Sequence, residues 1–290
     1  CFMTNVDREK YYQEELLIAR DQALQSAHAK SDFLAIMSHE IRTPMSGIIG
    51  MTELLLETEL NEEQSDYAST VMSSADSLLC IINDILDFSK IEAGKLSLAP
   101  INFNFREMIS DLERLLEVSV TKKKLTLITE IEQRVPQTVF GDPDRLKQIL
   151  LNLLSNAIKF TKDKGGILLL VELDQETSNE VTLAFTVSDS GIGIEHDIQS
   201  RIFEAFTQAD NTTTRKYGGT GLGLTISSQL VTLMDGQLSV NSEPGVGSAF
   251  RFTARLAKRS KTVENTTTKT LPRNEEPARS LSVLVVEDNQ

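Results

Sequence analysis

Cysteine is scarce in this chain, with only Cys1 and Cys80 among 290 residues. Two such distant cysteines provide neither a disulfide framework nor the close spacing of metal ligands. Cys80 lies in the apolar run LLCII, so we expect a small core residue, consistent with a reducing compartment.

Long apolar runs and an excess of positive charge are also missing. A run such as ILLLV at 167–171 is far shorter than the roughly 18 residues of a bilayer span. The net charge of -13 and pI near 4.8 argue against nonspecific nucleic-acid binding, which requires a basic face. We therefore expect no membrane segment in this fragment and no nucleic-acid partner, and any anionic ligand requires locally placed cations.

The length of 290 residues predicts about two domains of roughly 150 residues each. The first residue is Cys1, and no signal-like region follows it. We therefore expect a piece of a longer protein whose sensor or anchor lies upstream.

The first third of the chain is typical of two long helices. Asp7 to about Leu56 is rich in Ala, Leu, Glu, Gln and Lys, and a second helix is predicted from about Asn61 to Ala93, before Gly94. Apolar spacings of 3 and 4 predict a heptad seam. Its members are Leu34, Met37, Ile41, Pro44, Ile48, Met51 and Leu55. A single hairpin exposes such a seam, so dimerisation into a four-helix bundle is expected.

After Pro100 the pattern changes to short β-rich runs that alternate with helices. Strands are expected at LTLITEI, GILLLVEL, VTLAFTVSD, GQLSVNS and SAFRFTARL. Helices are expected near 105–120, 143–160 and 221–234, the second capped by Asp142 with Pro143 in its first turn. This part reads as an α/β sandwich, in which helices cover a mixed sheet.

His39 stands in the segment SHEIRTP, two residues after the seam position Met37. Its imidazole should therefore face water. A Ser-His-Glu relay is excluded, because neighbouring helix positions diverge by about 100°. Zinc binding is disfavoured, because no second histidine or cysteine stands three or four residues away. An inert surface histidine and a nucleophile remain, and for the nucleophile Glu40 could accept the imidazole proton.

Asn152, Asn156 and Lys159 are spaced by 4 and 3 and fall on one helix face. Amide oxygens suit Mg²⁺ and an ammonium suits phosphate oxygens. The alternative is an ordinary solvated polar face.

Two glycine-containing segments follow. In DSGIGI, Asp189 at the end of a strand could accept a hydrogen bond from an adenine amine, while Gly191 and Gly193 allow close approach. The third glycine of a dinucleotide fingerprint is replaced by His196. YGGTGLGL at 217–224 opens a helix whose amides could bind phosphates. Its glycines are Gly219, Gly221 and Gly223, preceded by Arg215 and Lys216.

Taken in order, these segments resemble the hybrid sensor histidine kinases of two-component signalling over about residues 25–258. The resemblance implies that His39 is the phosphoacceptor, Glu40 a general base, and Thr43 the residue that positions water for phosphatase activity. It implies Asn156 as the Mg²⁺ ligand and a set of nucleotide-binding positions. That set comprises Asn152, Lys159, Asp189, Gly191, Gly193, Phe203, Phe206, Arg215, Lys216, Gly219, Gly221, Leu222 and Gly223, with Gly245, Gly247 and Ser248 in the last glycine box.

Phe203 and Phe206 would belong to a hydrophobic motif beside a mobile lid. They could equally be ordinary anchors of that lid on the core. LVVEDNQ is similar to the first strand of a receiver domain, in which Glu287 and Asp288 would help to hold Mg²⁺.

The resemblance implies an α+β multidomain chain, with a helical hairpin dimerising into a four-helix bundle and a Bergerat-type ATP-binding sandwich. The expected parts are a linker helix at 1–28, a dimerisation and histidine phosphotransfer domain at 29–98, a catalytic domain at 99–258, a linker at 259–280 and a truncated receiver strand at 281–290.

The implied activity is an ATP-dependent protein-histidine kinase that uses ATP and Mg²⁺. It acts as a homodimer and passes phosphoryl groups to a receiver domain in cis or to a separate response regulator. The implied location is cytoplasmic, and upstream segments could anchor the full-length protein to the inner or plasma membrane. A related ATPase of the same nucleotide-binding superfamily and a non-catalytic nucleotide-binding scaffold remain alternatives.

Overall fold

The computed structural model describes residues 5–205, 207 and 221–258, with the side chains of residues 5–19, 21–27 and 31 left out. A helical hairpin opens this part of the chain, formed by α1 (Asn5–Leu56) and α2 (Glu62–Glu92). Among the described residues no helix is both long and apolar enough to cross a membrane.

The ends of α2 follow from its sequence. The Gln64 amide donates to Asn61 Oδ1 at 2.8 Å and the Asn61 amide donates to Gln64 Oε1 at 3.1 Å, which is a capping box. At the other end Gly94 has φ +64°, a left-handed conformation that glycine adopts without a steric penalty. The predicted second helix and its stop are confirmed.

The predicted heptad seam does not coincide with the buried stripe of α1. Ser38, Met45 and Thr52, spaced by seven, are the buried residues. Met51 of the predicted seam is 70% exposed, and Met37, Pro44, Ile48 and Leu55 are exposed as well. The reason is that α1 has one neighbouring helix within a single chain, so only the stripe facing α2 is covered. The prediction that Cys80 is a core residue was wrong, since its side chain is exposed.

The remainder of the described chain forms an α/β unit. Its helices are α3 (Phe105–Lys122), α4 (Pro143–Phe160), α5 (His196–Gln199) and α6 (Gly223–Leu233). Its strands are β1 (Ile101–Asn104), β2 (Thr126–Ile131), β3 (Thr138–Gly141), β4 (Gly166–Glu176), β5 (Glu180–Asp189), β6 (Leu238–Glu243) and β7 (Gly247–Lys258).

The described strands form one mixed sheet in the order β1-β3-β7-β5-β4-β2, and β6 pairs with β7. β2 runs parallel to β4, and the other pairs are antiparallel. All five predicted strands are present. The sequence prediction missed β1 and β3, which have four residues each and are too short to show a clear alternation.

The core of this unit lies between the sheet and its helices. Ile167, Leu169 and Val171 of β4 are buried while the intervening residues are partly exposed, so one face of the sheet is covered. The Phe185 and Phe252 rings stack on that face with centroids 4.5 Å apart. α4 begins as predicted, with Asp142 Oδ1 accepting from the Arg145 amide and Pro143 in the first turn. The predicted α/β sandwich is confirmed.

Candidate functional site

His39 lies exposed on α1, and Glu40 beside it is also exposed. Ser38 on the preceding position is 3% exposed and faces the interior of the hairpin. The prediction that the imidazole faces water is confirmed. Thr43 Oγ1 donates to the His39 carbonyl oxygen at 3.2 Å, so the Thr43 side chain lies one turn further along the same helix face.

Contacts between the two hairpin helices show which turn of α2 lies beside His39. Arg42 Nη2 donates to Asn83 Oδ1 at 3.2 Å, and Lys30 Nζ donates to Glu92 Oε2 at 3.0 Å near the base. Since the helices are antiparallel, this register places His39 opposite the α2 turn that follows Asn83. That turn contains Asp87.

The α/β unit is attached to the same part of α2. Asp87 Oδ2 accepts hydrogen bonds from Arg145 Nη1 and Gln148 Nε2 of α4, both at 2.8 Å. Ile85 and Phe88 of α2 pack beside these polar groups against the core of the α/β unit. This junction was not predicted from the sequence, although the single carboxylate in the apolar stretch ILDFSKI indicates a polar contact at that point of α2.

Asn152 and Asn156 of α4 are joined to each other and to α6. Asn152 Nδ2 donates to Ser227 Oγ at 2.8 Å, and Asn156 Nδ2 lies 3.4 Å from Asn152 Oδ1. A Cβ atom on Gly223 would collide with the Asn152 amide. The glycine at the start of α6 therefore allows that helix to approach α4 closely, a role in packing that the sequence analysis did not predict for Gly223.

Lys159 follows on the same face of α4, as its spacing predicted. It is partly buried, and burial lowers the pKa of its ammonium group below the usual value. Its Nζ lies 5.0 Å from the centroid of the Phe160 ring. This arrangement keeps a cation close to the carboxyl-terminal end of α4.

Asp189 is the last residue of β5 and is followed by the loop that carries Gly191 and Gly193. Burial raises the pKa of the Asp189 carboxyl, while hydrogen bonds from the backbone amides of Gly191 and Ser248 act in the opposite direction. The Gly191 amide lies 2.8 Å from Asp189 Oδ1. The carboxylate is thus fixed by two backbone donors and is partly removed from water.

The glycines around Asp189 are required by close backbone contacts. A Cβ on Gly191 would lie 2.7 Å from the Phe160 carbonyl oxygen, and one on Gly193 would overlap the Glu243 carbonyl. Gly193 also has φ +69°. A Cβ on Gly247 would overlap the Asp189 carbonyl. These glycines therefore allow the loop, the end of α4, the β6–β7 turn and the end of β5 to approach one another closely.

The described part of the second glycine segment leads directly into α6. Gly221 has φ +70°, and Leu222 is the N-cap, 1% exposed, with no side-chain cap bond. The first backbone amides of any α-helix lack acceptors within the helix, so the start of α6 could face a phosphate group. The predicted residues Phe206, Arg215, Lys216 and Gly219 lie outside the described residues, as do Glu287 and Asp288. Phe203 is partly buried against the core.

The donor groups fit a Mg-nucleotide better than a metal bound by the protein alone. Among the described residues no group of three His, Cys, Asp or Glu side chains could hold a metal ion. Mg²⁺ in nucleotide sites is commonly held by one or two protein ligands, phosphate oxygens and water. Asn156, on the face that also carries Lys159, matches that limited requirement.

Comparisons with known proteins agree with this organisation. Residues 29–94 match the His Kinase A (phospho-acceptor) domain family, and residues 141–258 match the family of histidine kinase-, DNA gyrase B- and HSP90-like ATPases. The sensor histidine kinase GacS of Pseudomonas protegens is 49% identical over 84% of this chain, and the signal transduction histidine-protein kinase BarA of Escherichia coli K12 is 48% identical over 83%. The chain spans 26% of the length of each of these curated relatives.

A solved structure is similar over both parts of the chain. Full-length ShkA in complex with AMPPNP has a TM-score of 0.64 and 35% identity, and the match covers 79% of this chain and 46% of that one. Hybrid signal transduction histidine kinase F of Dictyostelium discoideum is 46% identical over 84% of this chain and 22% of its own length.

Proposed function

This chain belongs to the hybrid sensor histidine kinases, and we propose that it transfers the γ-phosphoryl group of ATP to His39. The proposal rests on one observation. The exposed His39–Glu40 pair of α1 lies beside the same turn of α2 that binds the α/β unit through Asp87. The proposed domains, 29–98 and 99–258, enclose the two matched family segments.

In the proposed reaction a nitrogen of the His39 imidazole attacks the γ-phosphorus of ATP. The new P–N bond forms as the bond to the bridging β–γ oxygen breaks, ADP leaves, and the imidazole proton passes to Glu40. Both side chains are exposed, so the substrate can approach without a rearrangement of α1. Such reactions depend mainly on positioning and charge neutralisation.

The nucleotide would lie between α4, the loop after β5 and the start of α6. Asp189 would accept a hydrogen bond from the adenine amine, and the amides at the start of α6 would face phosphate oxygens. Lys159, together with Arg215 and Lys216, would provide cations. Asn156 would hold Mg²⁺, which when bound neutralises charge on the phosphate oxygens.

We also propose that two hairpins associate into a four-helix bundle. Exposed apolar side chains on both helices support this, including Ile48 at 44%, Met51 at 70% and Val71 at 46% exposure. A shallow groove between α1 and α2 is lined by Met45, Ile48, Val71 and Leu78 among other residues. A second hairpin would remove this surface from water, at about 25 cal/mol per Å² of apolar area.

The remaining steps are proposals that rest on the family. The phosphoryl group of His39 would pass to an aspartate of a receiver domain, in cis or on a separate regulator. Thr43, one turn after His39, would position water for a separate phosphatase reaction, in which water attacks the phosphorylated receiver aspartate and inorganic phosphate leaves.

The test of the proposed function is incubation with γ-labelled ATP and Mg²⁺. We expect acid-labile, alkali-stable label on the natural chain, no label on His39→Gln, and full label on His196→Gln, the control, whose histidine is exposed on the α/β unit. Label that persists in His39→Gln would overturn the phosphoacceptor assignment. Release of phosphate without phosphoprotein would favour a simple ATPase, and tight ATP binding without either would favour a scaffold.

A further inference from the structure

Ser242, near the end of β6, joins three segments around Asp189. Its Oγ accepts from the Ile194 amide at 2.8 Å and donates to the Gly247 carbonyl oxygen at 2.9 Å. It also lies 3.0 Å from Ser248 Oγ. The Ser242 hydroxyl thereby connects the loop after β5, the β6–β7 turn and the first residues of β7.

The donor and acceptor capacity of Ser242 determines the direction of the contact with Ser248. A hydroxyl has one proton and two lone pairs. The Ser242 proton is directed to Gly247 O and one lone pair receives the Ile194 N–H. With the Ser242 proton on Gly247 O, the 3.0 Å contact is assigned with Ser248 as its donor, and the Ser248 oxygen then retains only lone pairs for any ligand.

The Gly247–Ser248 peptide links Ser242 directly to Asp189. Its carbonyl oxygen accepts from Ser242, and its N–H, which belongs to Ser248, donates to the Asp189 carboxylate. Because the peptide group is planar, fixing one end fixes the other. Ser242 thus holds the backbone donor that orients Asp189, although its own side chain is not expected to touch the nucleotide.

We propose that Ser242 is a positioning residue that makes the base pocket selective for 6-aminopurines over 6-oxopurines. It holds Asp189 in place and uses the Ser248 proton, so that both Asp189 and Ser248 present acceptors where the base carries its 6-substituent. The 6-amine of adenine can donate hydrogen bonds to these acceptors. The 6-oxo group of guanine has no proton to donate, so its oxygen would be repelled by the two acceptor oxygens. This inference rests on the proposed function, namely that the site binds ATP.

The test compares the dissociation constants of ATP and GTP, measured by calorimetry on the 290-residue chain. In Ser242→Ala the Ile194 N–H and Gly247 C=O lose their partner and the Ser248 proton is released. Loss of a buried hydrogen bond to such groups typically changes an equilibrium constant by a factor of roughly five to ten. We therefore expect the dissociation constant of ATP to rise by about the same factor. The preference for ATP over GTP should fall by about the same factor, because the freed Ser248 hydroxyl can donate to a 6-oxo group.

Ser239→Ala is the matched control. Ser239 is an exposed serine of the same strand, and its Oγ donates to the Arg251 carbonyl of β7 at 3.3 Å. It removes the same kind of β6–β7 bond far from Asp189, so both affinities should be unchanged. Ser242→Thr, which retains the hydroxyl, should restore the selectivity.

An unchanged ATP-to-GTP ratio in folded Ser242→Ala, or an equal change in Ser239→Ala, would overturn the inference. If Ser242→Ala does not fold, Ser248→Ala is measured instead. Loss of the Ser248 acceptor must also reduce the preference for ATP over GTP, and an unchanged preference would contradict the proposal. Failure of the natural chain to bind ATP would instead count against the proposed function itself.

Discussion

Asp87 of the hairpin and Arg145 of the α/β unit form an ion pair with Oδ2 and Nη1 2.8 Å apart, and their side chains are only 14% and 25% exposed. The pair joins the helical hairpin that carries His39 to the first turns of α4, the helix that also carries Asn152 and Asn156. Removal of either charge leaves the other partly buried without its partner, which is more costly than removal of a surface charge.

We expect a double-mutant cycle of Asp87→Ala and Arg145→Ala to give a coupling of about 1–2 kcal/mol in the free energy of unfolding, measured by chemical denaturation. The exposed pair Lys30–Glu92, 57% and 42% exposed, is the control and should couple by less than about 0.5 kcal/mol. Equal coupling for the two pairs would show that burial at the junction has no special effect.

Asn156→Asp should abolish Mg-dependent labelling of His39. The new carboxylate cannot donate to Asn152 Oδ1, as Asn156 Nδ2 does at 3.4 Å, and it adds negative charge beside the expected phosphates. Ser155→Ala, on an exposed neighbouring position of α4, should label normally. Normal labelling of Asn156→Asp would contradict the assignment of Asn156 as the metal ligand.

Thr43→Ala should leave the rate of His39 labelling nearly unchanged and slow dephosphorylation of a partner receiver. The substitution removes an exposed hydroxyl that bonds only within its own helix, so stability should change by less than about 0.5 kcal/mol. Thr232→Ala removes the same type of bond, from the exposed Thr232 Oγ1 to the Ser228 carbonyl at 3.0 Å on α6, and should affect neither reaction. Unchanged dephosphorylation in Thr43→Ala would exclude Thr43 from the phosphatase step.

The Asp189 carboxyl should make ATP binding and stability respond to pH in opposite directions. Burial raises its pKa above the ordinary value, so the folded chain holds this proton at a pH where the unfolded chain has lost it. The contribution of Asp189 to stability therefore falls as the pH rises from the ordinary carboxyl pKa through the raised one. In the proposed site Asp189 accepts a hydrogen bond from the adenine amine as a carboxylate, so ATP binding should increase over the same interval.

Asp189→Asn tests this relationship. In the absence of ATP we expect the variant to be at least as stable as the natural chain at pH 7, with an advantage that shrinks as the pH is lowered through the interval, and to bind no ATP. Asp197→Asn, at an exposed position of α5, is the control for the loss of one negative charge. A variant that loses stability at pH 7 would show that the two backbone donors outweigh burial.

Lys123 should stabilise the end of α4. Its Nζ donates to the carbonyl oxygens of Ile158 at 2.8 Å, Lys159 at 2.9 Å and Thr161 at 3.2 Å, where helix carbonyls lack internal partners. Lys123→Met should lower the free energy of unfolding by about 1–3 kcal/mol. The neighbouring exposed Lys122, replaced by Met, should change it by less than about 0.5 kcal/mol.

Local patterns were sufficient to predict most helices and strands. The helix stop at Gly94, the Asp142 cap with Pro143 and the β-rich runs of β4 and β5 each depend on residues close together in sequence. The short strands β1 and β3 have no comparable local pattern and exist because β7 and each other provide partners. Five of the seven heptad-seam positions of α1 are exposed in the single chain, as expected of a seam that a second hairpin would cover. The heptad pattern did not show which stripe of α1 the helix α2 covers.

The sequence by itself determined the order of the parts, the exposure of His39 and the presence of Asn156, Asp189 and their glycines, because spacing along a helix or loop fixes these features locally. Only the tertiary structure decided that Asp87 meets Arg145, that Asn152 bonds to Ser227, and that Ser242 holds the peptide beside Asp189. Asp87 and Arg145 are 58 residues apart in the chain, Asn152 and Ser227 are 75 apart, and Ser242 is 48 residues from Ile194. These contacts arise from packing of the sheet, helices and hairpin, which no local pattern encodes.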